Sequence, residues 1–159
     1  MAVEYITRSR EFYSAKGMPA YQWSSFEDAP FAALKMPLSE CRIGVLSSSG
    51  VFLRGQEPFN PDRNDFTFRE IPRQLAPADI VINHNSYDHT DALRDINCVI
   101  PLKALDFLER EGVVKEVAGP IVTFMGRITS RLKLVNEMAP AVFERFRAMK
   151  VDAVFMIPV

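Results

Sequence analysis

With 159 residues, 48% of them hydrophobic and 25% charged, the chain has the composition of one globular domain, which excludes a disordered polypeptide. Its net charge of −1 argues against nucleic acid as a partner, and no apolar run reaches the ~20 residues of a transmembrane helix. The two cysteines are too few for a disulfide framework and the start of the chain has no signal peptide, so we expect a cytoplasmic protein without membrane contact.

The first 40 residues are predicted to form an N-terminal extension. Residues 3–16 have the pattern of a short helix that Gly17 would end. The segment that follows is rich in proline and aromatic residues without a sustained period, and we interpret it as an irregular strap. Packing on the domain, rather than ligand binding, is the expected role of its aromatic side chains, which are Tyr21, Trp23, Phe26 and Phe31.

Residues 41–159 are predicted to form an α/β domain. Short apolar runs alternate with helical patterns, which is typical of a mostly parallel sheet in a three-layer sandwich of the Rossmann or flavodoxin type. Helices are predicted after Pro101 and over residues 130–150, where Pro140 should cause a kink or a break. The predicted strands are residues 43–46, 51–53, 66–71, 79–83, 120–126 and 151–159.

Polar and ionisable residues concentrate in the stretch NHNSYDHTDALRDINCVIP, residues 83–101. A connection with this composition, following a predicted strand, indicates a binding or catalytic loop. His84 and Asp88 are the candidate catalytic residues, because they could donate hydrogen bonds, relay a proton or hold a substrate cation. The candidate substrate-binding residues are Tyr87, Asp91, Asp95, Asn97 and Cys98.

Several of these residues have a competing structural interpretation. Helix capping and turn formation would explain Asp91 and Asp95 equally well. Asn97 could satisfy backbone groups, and Cys98 could be a small buried residue, the usual fate of a free cysteine.

A zinc site is the first alternative class. The spacing His84-x-Ser86-x-Asp88-His89 is close to the H-x-H-x-D-H pattern of metallo-β-lactamase-like hydrolases. Serine stands at the second ligand position, however, and the chain has only two histidines, so we expect no metal. The second alternative class is a non-catalytic module that binds a partner protein.

The sequence resembles a known family over residues 19–159. The family pattern matches at residues 42–50 (RIGVLSSSG), 59–61 (FNP), 65–72 (DFTFREIP), 124–126 (FMG) and 151–154 (VDAV). It also matches at His84, Tyr87, Asp88, Asp91 and residues 95–98 (DINC). On these motifs the chain resembles the selenoprotein B family of glycine, sarcosine, betaine and D-proline reductases, and most closely the selenocysteine subunit of D-proline reductase.

The resemblance implies an oxidoreductase that cleaves a C–N bond of a small amino acid or amine, with electrons from a dithiol or a thioredoxin-like protein. It also implies other reductase subunits or self-association as partners. In the family a selenocysteine or cysteine, the nucleophile, follows the strand that matches VFMIPV. We therefore expect the redox residue directly after Val159, in a longer selenoprotein of which this chain is a truncated, inactive reading with exposed apolar surface.

Overall fold

The structure, a computed structural model, describes residues 4–20, 23, 25–28, 32–74 and 76–159. The chain divides into two compact units, Met1–Ala33 and Leu34–Val159. In the first unit the helix α1 spans Tyr5–Ala15, and the rings of Tyr5 and Trp23 lie 6.0 Å apart. Two residues of the predicted strap, Tyr21 and Phe31, lie outside the described residues, and the division of the chain at residue 40 stays a prediction.

The second unit is built on a five-stranded sheet. Its central strand β1, Arg42–Ser47, pairs in parallel with β5 (Glu116–Val117) and β6 (Ile121–Thr123) on one side. On the other side β1 pairs in parallel with β7, Ala153–Ile157. A short strand β3, Arg69–Ile71, runs antiparallel to β6 at the far edge. The prediction of an α/β domain with a mostly parallel sheet is therefore confirmed.

Two predicted strands have a different place from the one the sequence indicated. The strand β4, Ile80–Ile82, leads into the polar stretch but pairs antiparallel with β2, Val51–Leu53, in a separate two-stranded sheet. The strand predicted over residues 66–71 is regular only over β3, since Asp65 Oδ1 accepts the backbone N–H of Thr67 and forms a local turn instead.

The helices of the second unit are short. They comprise α2 (Thr90–Arg94), α3 (Leu102–Arg110), α4 (Arg131–Lys133) and α5 (Ala139–Ala148), and single helical turns at Leu38–Glu40, Pro77–Asp79 and Ile96–Cys98. A wider turn over Leu134–Met138 separates α4 from α5. Pro140 lies in the first turn of α5, directly after this wider turn. The backbone keeps helical angles at Lys133, Met138 and Ala139, so the helix is irregular before Pro140 but is not broken into two.

Helices lie against both faces of the sheet. Ile43 and Val45 of β1 belong to the same buried cluster as Leu105 of α3. Gly44 points to the other face, where a Cβ atom would come within 2.7 Å of the Phe146 ring of α5. Neighbouring residues of a strand point to opposite faces, so α3 and α5 cover different sides.

The order of the parallel strands has a consequence for function. In chain order β1 comes first, β6 second and β7 third, and β1 lies between the other two. The connection from β1 to β6 contains α3 and the connection from β6 to β7 contains α5, which covers the other face of the sheet. Ligands of such sheets bind in the crevice that this arrangement creates at the carboxyl ends of the strands. The finer assignment to the Rossmann or flavodoxin type stays a prediction.

Candidate functional site

The carboxyl ends of β1, β6 and β7 meet at Ser48. Its backbone N–H donates to the carbonyl of Ile157 at 3.1 Å, and its carbonyl accepts the N–H of Gly126 at 3.0 Å. Its Oγ accepts the N–H of Val159 at 2.9 Å. A Cβ atom on Gly126 would lie 2.9 Å from the Cβ of Ser48, so only glycine permits this approach. We call residues 47–50 together with 124–127 the strand-end junction.

Ser47 connects this junction to the polar stretch. Its side chain is fully buried, and Oγ donates to the carbonyl of Val99 at 2.9 Å while lying 3.0 Å from the Oγ of Ser49. The far end of the polar stretch is thereby fixed to the last residue of β1.

Gly50 connects the junction to the near end of the polar stretch. Its N–H donates to the carbonyl of Phe124 at 2.8 Å, and its carbonyl accepts the N–H of Asn83 at 3.0 Å. Its φ of +69° lies in the left-handed region, and a Cβ atom there would be 2.7 Å from the carbonyl oxygen of Asn83. The polar stretch thus starts beside the main sheet although β4 is not part of it.

His84 is the most deeply buried ionisable residue of the stretch, with 4% of its surface exposed. Its Nδ1 accepts the backbone N–H of Ser86 at 3.1 Å, which assigns the proton of the neutral ring to Nε2. Among the described residues, Nε2 has no hydrogen-bond partner. Burial lowers the pKa of His84, and the charges of His89 and Arg127 lower it further. His84 is therefore a neutral ring with a buried, unused donor.

Tyr87 holds the stretch against the junction. Its hydroxyl donates to the carbonyl of Ser49 at 2.8 Å, and its ring lies 5.0 Å from the ring of His84 and 4.8 Å from that of His89. Burial raises the pKa of Tyr87 to about 12. His89 Nε2 in turn bonds the carbonyl of His84. The phenol stays protonated at neutral pH and retains lone pairs that can accept a hydrogen bond.

Asp88 is exposed and organises the start of α2. Its Oδ1 accepts both the backbone N–H of Thr90, at 2.9 Å, and the Thr90 hydroxyl, at 2.6 Å. These hydrogen bonds lower the pKa of Asp88, the bond from the hydroxyl most of all. The carboxylate is ionised at neutral pH and at least partly committed to its own turn.

The remaining candidates lie together on the next helical turns. Asp95 Oδ1 accepts the backbone N–H of Asn97 at 3.1 Å and its side-chain amide at 2.6 Å, and these bonds lower the pKa of Asp95. Asn97 Oδ1 accepts the N–H of Lys103 at 2.9 Å. Asp91 forms an exposed ion pair with Arg94 at 3.3 Å. Asp95 and Asn97 line a polar cleft of about 360 Å³.

Cys98 is exposed, with its Sγ 3.8 Å from the carbonyl of Asp91, so the interpretation of a buried cysteine is wrong for this residue. Cys41 is the buried one, and burial raises the pKa of its thiol. The candidates therefore form two groups. His84, Tyr87 and Asp88 lie next to one another beside the junction, whereas Asp91, Asp95, Asn97 and Cys98 are joined by contacts among themselves.

Sequence reasoning missed Ser48 and Arg127. Ser48 belongs to a small-residue loop that the sequence did mark, at the end of a predicted strand, but nothing distinguished it from Ser47 and Ser49. Arg127 follows Gly126, is half-buried, and makes no ion pair within the part of the chain that the structure describes. A single arginine in a loop has no sequence signal that separates it from a solvated one.

No group of three or more His, Cys, Asp or Glu side chains that could hold a metal ion occurs within the described ranges. The helices among the described residues are also too short or too polar to span a lipid bilayer.

Comparison with known proteins matches the sequence of the chain to one family. The family model described as glycine/sarcosine/betaine reductase selenoprotein B matches residues 10–158. No solved structure gave a significant match.

Two curated proteins are similar to the chain. It is 30% identical over 119 residues to D-proline reductase subunit gamma of Acetoanaerobium sticklandii, covering 75% of this chain and 49% of that protein. It is 27% identical over 118 residues to sarcosine reductase complex component B subunit beta of Peptoclostridium acidaminophilum, covering 69% of this chain and 26% of that protein. The chain thus spans about half of the first relative and about a quarter of the second.

Proposed function

Because the chain belongs to the glycine/sarcosine/betaine reductase selenoprotein B family, we propose that it forms the substrate-binding part of an amino-acid reductase. The observation that carries this proposal is the strand-end junction. Ser48 joins the ends of three parallel strands, beside a buried histidine with an unused donor, at the edge of the sheet where α/β proteins bind ligands.

The proposed reaction is the reductive cleavage of the C–N bond next to a carboxylate. A dithiol supplies two electrons and two protons and becomes a disulfide, the carbon gains a hydrogen, and the nitrogen leaves as an amine. A selenolate or thiolate directly after Val159 would supply the nucleophile for this cleavage, because a low pKa keeps such a group anionic at neutral pH. The Val159 N–H bond to Ser48 supports this position at the junction.

The residues of the chain would position the substrate and manage protons. We assign hydrogen-bond donation to His84 Nε2–H and hydrogen-bond acceptance to the Tyr87 hydroxyl oxygen, whose proton is used on Ser49. Asp88 is ionised and exposed, so its carboxylate would hold a substrate cation such as an amine. Asp91, Asp95, Asn97 and Cys98 remain candidates for contacts farther from the reacting bond, around the polar cleft. A cytoplasmic location stays a prediction.

We also propose that the chain works against another polypeptide of a reductase assembly, since both relatives carry the names of subunits. The supporting feature is β7. It pairs with β1 along one edge, and along this strand Phe155 and Met156 are 46% and 66% exposed. Apolar clefts of about 320 and 350 Å³ flank the strand, one lined by Phe155 and the other by Met156. An open edge with apolar surface on both faces is typical of a strand that another chain covers.

Turnover in an extended protein tests the reductase proposal. The chain would be continued past Val159 with its natural codons, with selenocysteine or cysteine at the next position, and supplied with dithiothreitol. We expect consumption of glycine, sarcosine, betaine or D-proline and release of the corresponding amine or ring-opened product. His84→Asn and Asp88→Asn variants should lower turnover without unfolding the protein.

The codon after Val159 provides an independent check. The proposal requires UGA or a cysteine codon there, followed by an open reading frame. A UAA or UAG codon at that position, or an extended protein that reduces none of the four compounds, would refute the reductase role and leave a docking module as the function.

A copurification experiment tests the partner separately. A Met156→Lys variant should fold as the wild type does and lose the reductase polypeptide that the wild-type chain retains. Self-association that the same substitution abolishes would instead identify a second copy as the occupant of this surface.

A further inference from the structure

We propose that Arg127 and His84 form a binding subsite for the carboxylate of the substrate, with Arg127 as the anchoring cation and His84 Nε2–H as a second donor. This inference rests on the proposed function and extends it, because it assigns the group that would fix an amino acid in the crevice. The substrate class is a small amino acid with a free carboxylate next to the carbon that bears the nitrogen.

The backbone brings the two side chains to the same loop. His84 lies beside Gly50, since a Cβ atom on that glycine would be 3.1 Å from the Cβ of His84. Arg127 follows Gly126, whose N–H bonds the carbonyl of Ser48. His84 thus contacts the loop Ser48–Gly50, and Arg127 is the residue next to one that does. Both lie where the carboxyl ends of β1, β6 and β7 meet.

Each of the two side chains has hydrogen-bonding capacity that the described residues do not use. His84 is 96% buried, yet its Nε2 has no partner there, and a buried donor without a partner costs about 1–3 kcal/mol. The Arg127 guanidinium is half-buried and makes no ion pair with the described acidic residues. Native proteins rarely leave a buried donor such as His84 Nε2 without a partner, and a ligand that accepts from it while pairing with the Arg127 guanidinium accounts for both.

The charge around His84 favours an anion. Arg127 is close enough to His84 for its positive charge to lower the pKa of the imidazole, and His89 acts in the same direction. No described acidic side chain is among the groups that shift the pKa of His84, and Asp88, the first aspartate of the polar stretch, is turned to Thr90 through Oδ1. A planar carboxylate fits a guanidinium through two parallel hydrogen bonds, which makes arginine the usual partner where orientation matters.

The position also suits the reaction. Ser48 Oγ accepts the N–H of Val159, so the end of β7 belongs to the same junction as the backbone that carries the proposed subsite. Orientation of a bound substrate contributes to rate because the reacting atoms are held close together before the bond is broken. In this subsite His84 binds the substrate as a neutral hydrogen-bond donor, without a change of its protonation state.

Binding of sarcosine and of its amide to the 159-residue chain tests the subsite without turnover. Sarcosinamide keeps the amine and lacks only the carboxylate. We expect sarcosine to shift the ring resonances of His84 in NMR spectra and sarcosinamide to leave them in place. Arg127→Gln should weaken sarcosine binding about tenfold to a hundredfold, the value of a charge-assisted hydrogen-bonded pair.

Two further variants control this experiment. Arg110→Gln removes the same charge from an exposed position at the end of α3, near the opposite edge of the sheet, and should bind sarcosine as the wild type does. Arg127→Lys keeps the charge without the planar pair of donors and should bind with intermediate affinity. Thermal unfolding of each variant separates a loss of binding from a loss of structure.

Three outcomes would overturn the subsite: equal binding of sarcosine by folded Arg127→Gln and wild type, equal binding of acid and amide, or no binding of sarcosine, glycine, betaine or D-proline by the wild type. An extended protein without reductase activity that still binds the carboxylate through Arg127 would refute the proposed function and leave the subsite standing.

Discussion

The polar stretch of residues 83–101 and the strand-end junction differ in how they use their polar groups. In the stretch, Asp88 and Asp95 hold their own backbone turns, and Asp91 pairs with Arg94 one turn away. In and beside the junction, His84 and Arg127 keep hydrogen-bonding capacity that the described residues do not use. A high density of ionisable residues therefore marks a well-ordered loop, whereas the polar groups with unused capacity lie beside the strand ends.

The largest loss of stability is expected from a substitution at Gly50, where the polar stretch and the strand-end junction are joined. Gly50→Ala should lower the free energy of unfolding by about 2–4 kcal/mol, because it adds a clash with the Asn83 carbonyl to the cost of a left-handed backbone. Gly112 has nearly the same φ, +70°, and open space around it, so Gly112→Ala should cost only about 1–2 kcal/mol. Urea unfolding measures both, and equal losses would show that the contact is relaxed in solution.

The next effect is expected at Ser47, the second link between the regions. Ser47→Ala removes the donor to Val99 and leaves a buried carbonyl without it, which should cost about 1–3 kcal/mol in urea unfolding. Ser86→Ala changes an exposed hydroxyl of the polar stretch and should stay within about 0.5 kcal/mol. A Ser47 variant as stable as the Ser86 variant would argue that the stretch is not fixed to β1.

A smaller effect concerns the protonation of His84. Its pKa is lowered in the folded protein, so the unfolded chain takes up the proton first, and the unfolding free energy should fall as the pH drops below about 6.5. Arg127→Gln removes one of the causes and should raise the pKa of His84, measured by NMR titration of the ring. Arg110→Gln should leave the pKa of His84 unchanged. If Arg127→Gln also left that pKa unchanged, Arg127 would not lie close enough to His84 to influence its protonation.

The smallest effect is expected from the aspartates that serve their own turns. Asp95→Asn should reduce stability slightly at neutral pH, because the ionised carboxylate accepts two hydrogen bonds from Asn97. The lowered pKa means that this contribution exists above the ordinary value of about 3.8 and disappears as the pH falls through the folded value. Sarcosine binding should change little, because Asp95 is a candidate only for contacts farther from the reacting bond. A loss of binding as large as that of Arg127→Gln would place Asp95 at the carboxylate instead.

The sequence alone was sufficient to predict the main sheet and the family, but not the residues of the candidate site. The order of apolar runs predicted β1, β6 and β7. β1 and β6 are buried on both faces and leave a clear signal, and the apolar run of β7 was recognisable although Phe155 and Met156 are exposed. The pairing of β4 with β2 was missed because a short apolar run does not reveal its partner. An irregularity at Pro140 followed from the missing N–H alone, but the sequence did not show that the helix would continue through it.

The site was harder because its composition and its geometry point to different residues. Aspartates and histidines drew attention to residues 83–101, but their hydrogen bonds to neighbours two positions along the chain depend on backbone angles. Arg127 was missed since its position next to His84 arises only when Gly126 approaches Ser48. Contacts between residues far apart in the chain, rather than residue type, decide which polar groups keep unused hydrogen-bonding capacity.

The most direct measurement of this account is a map of the backbone amide shifts that sarcosine causes in the ¹H–¹⁵N spectrum of the chain. We predict that the largest shifts occur at Ser48, Gly50, Gly126 and Arg127, with His84 following them. Shifts centred on Asp91–Cys98, around the polar cleft, would contradict the account and place the substrate in the stretch that the sequence first indicated.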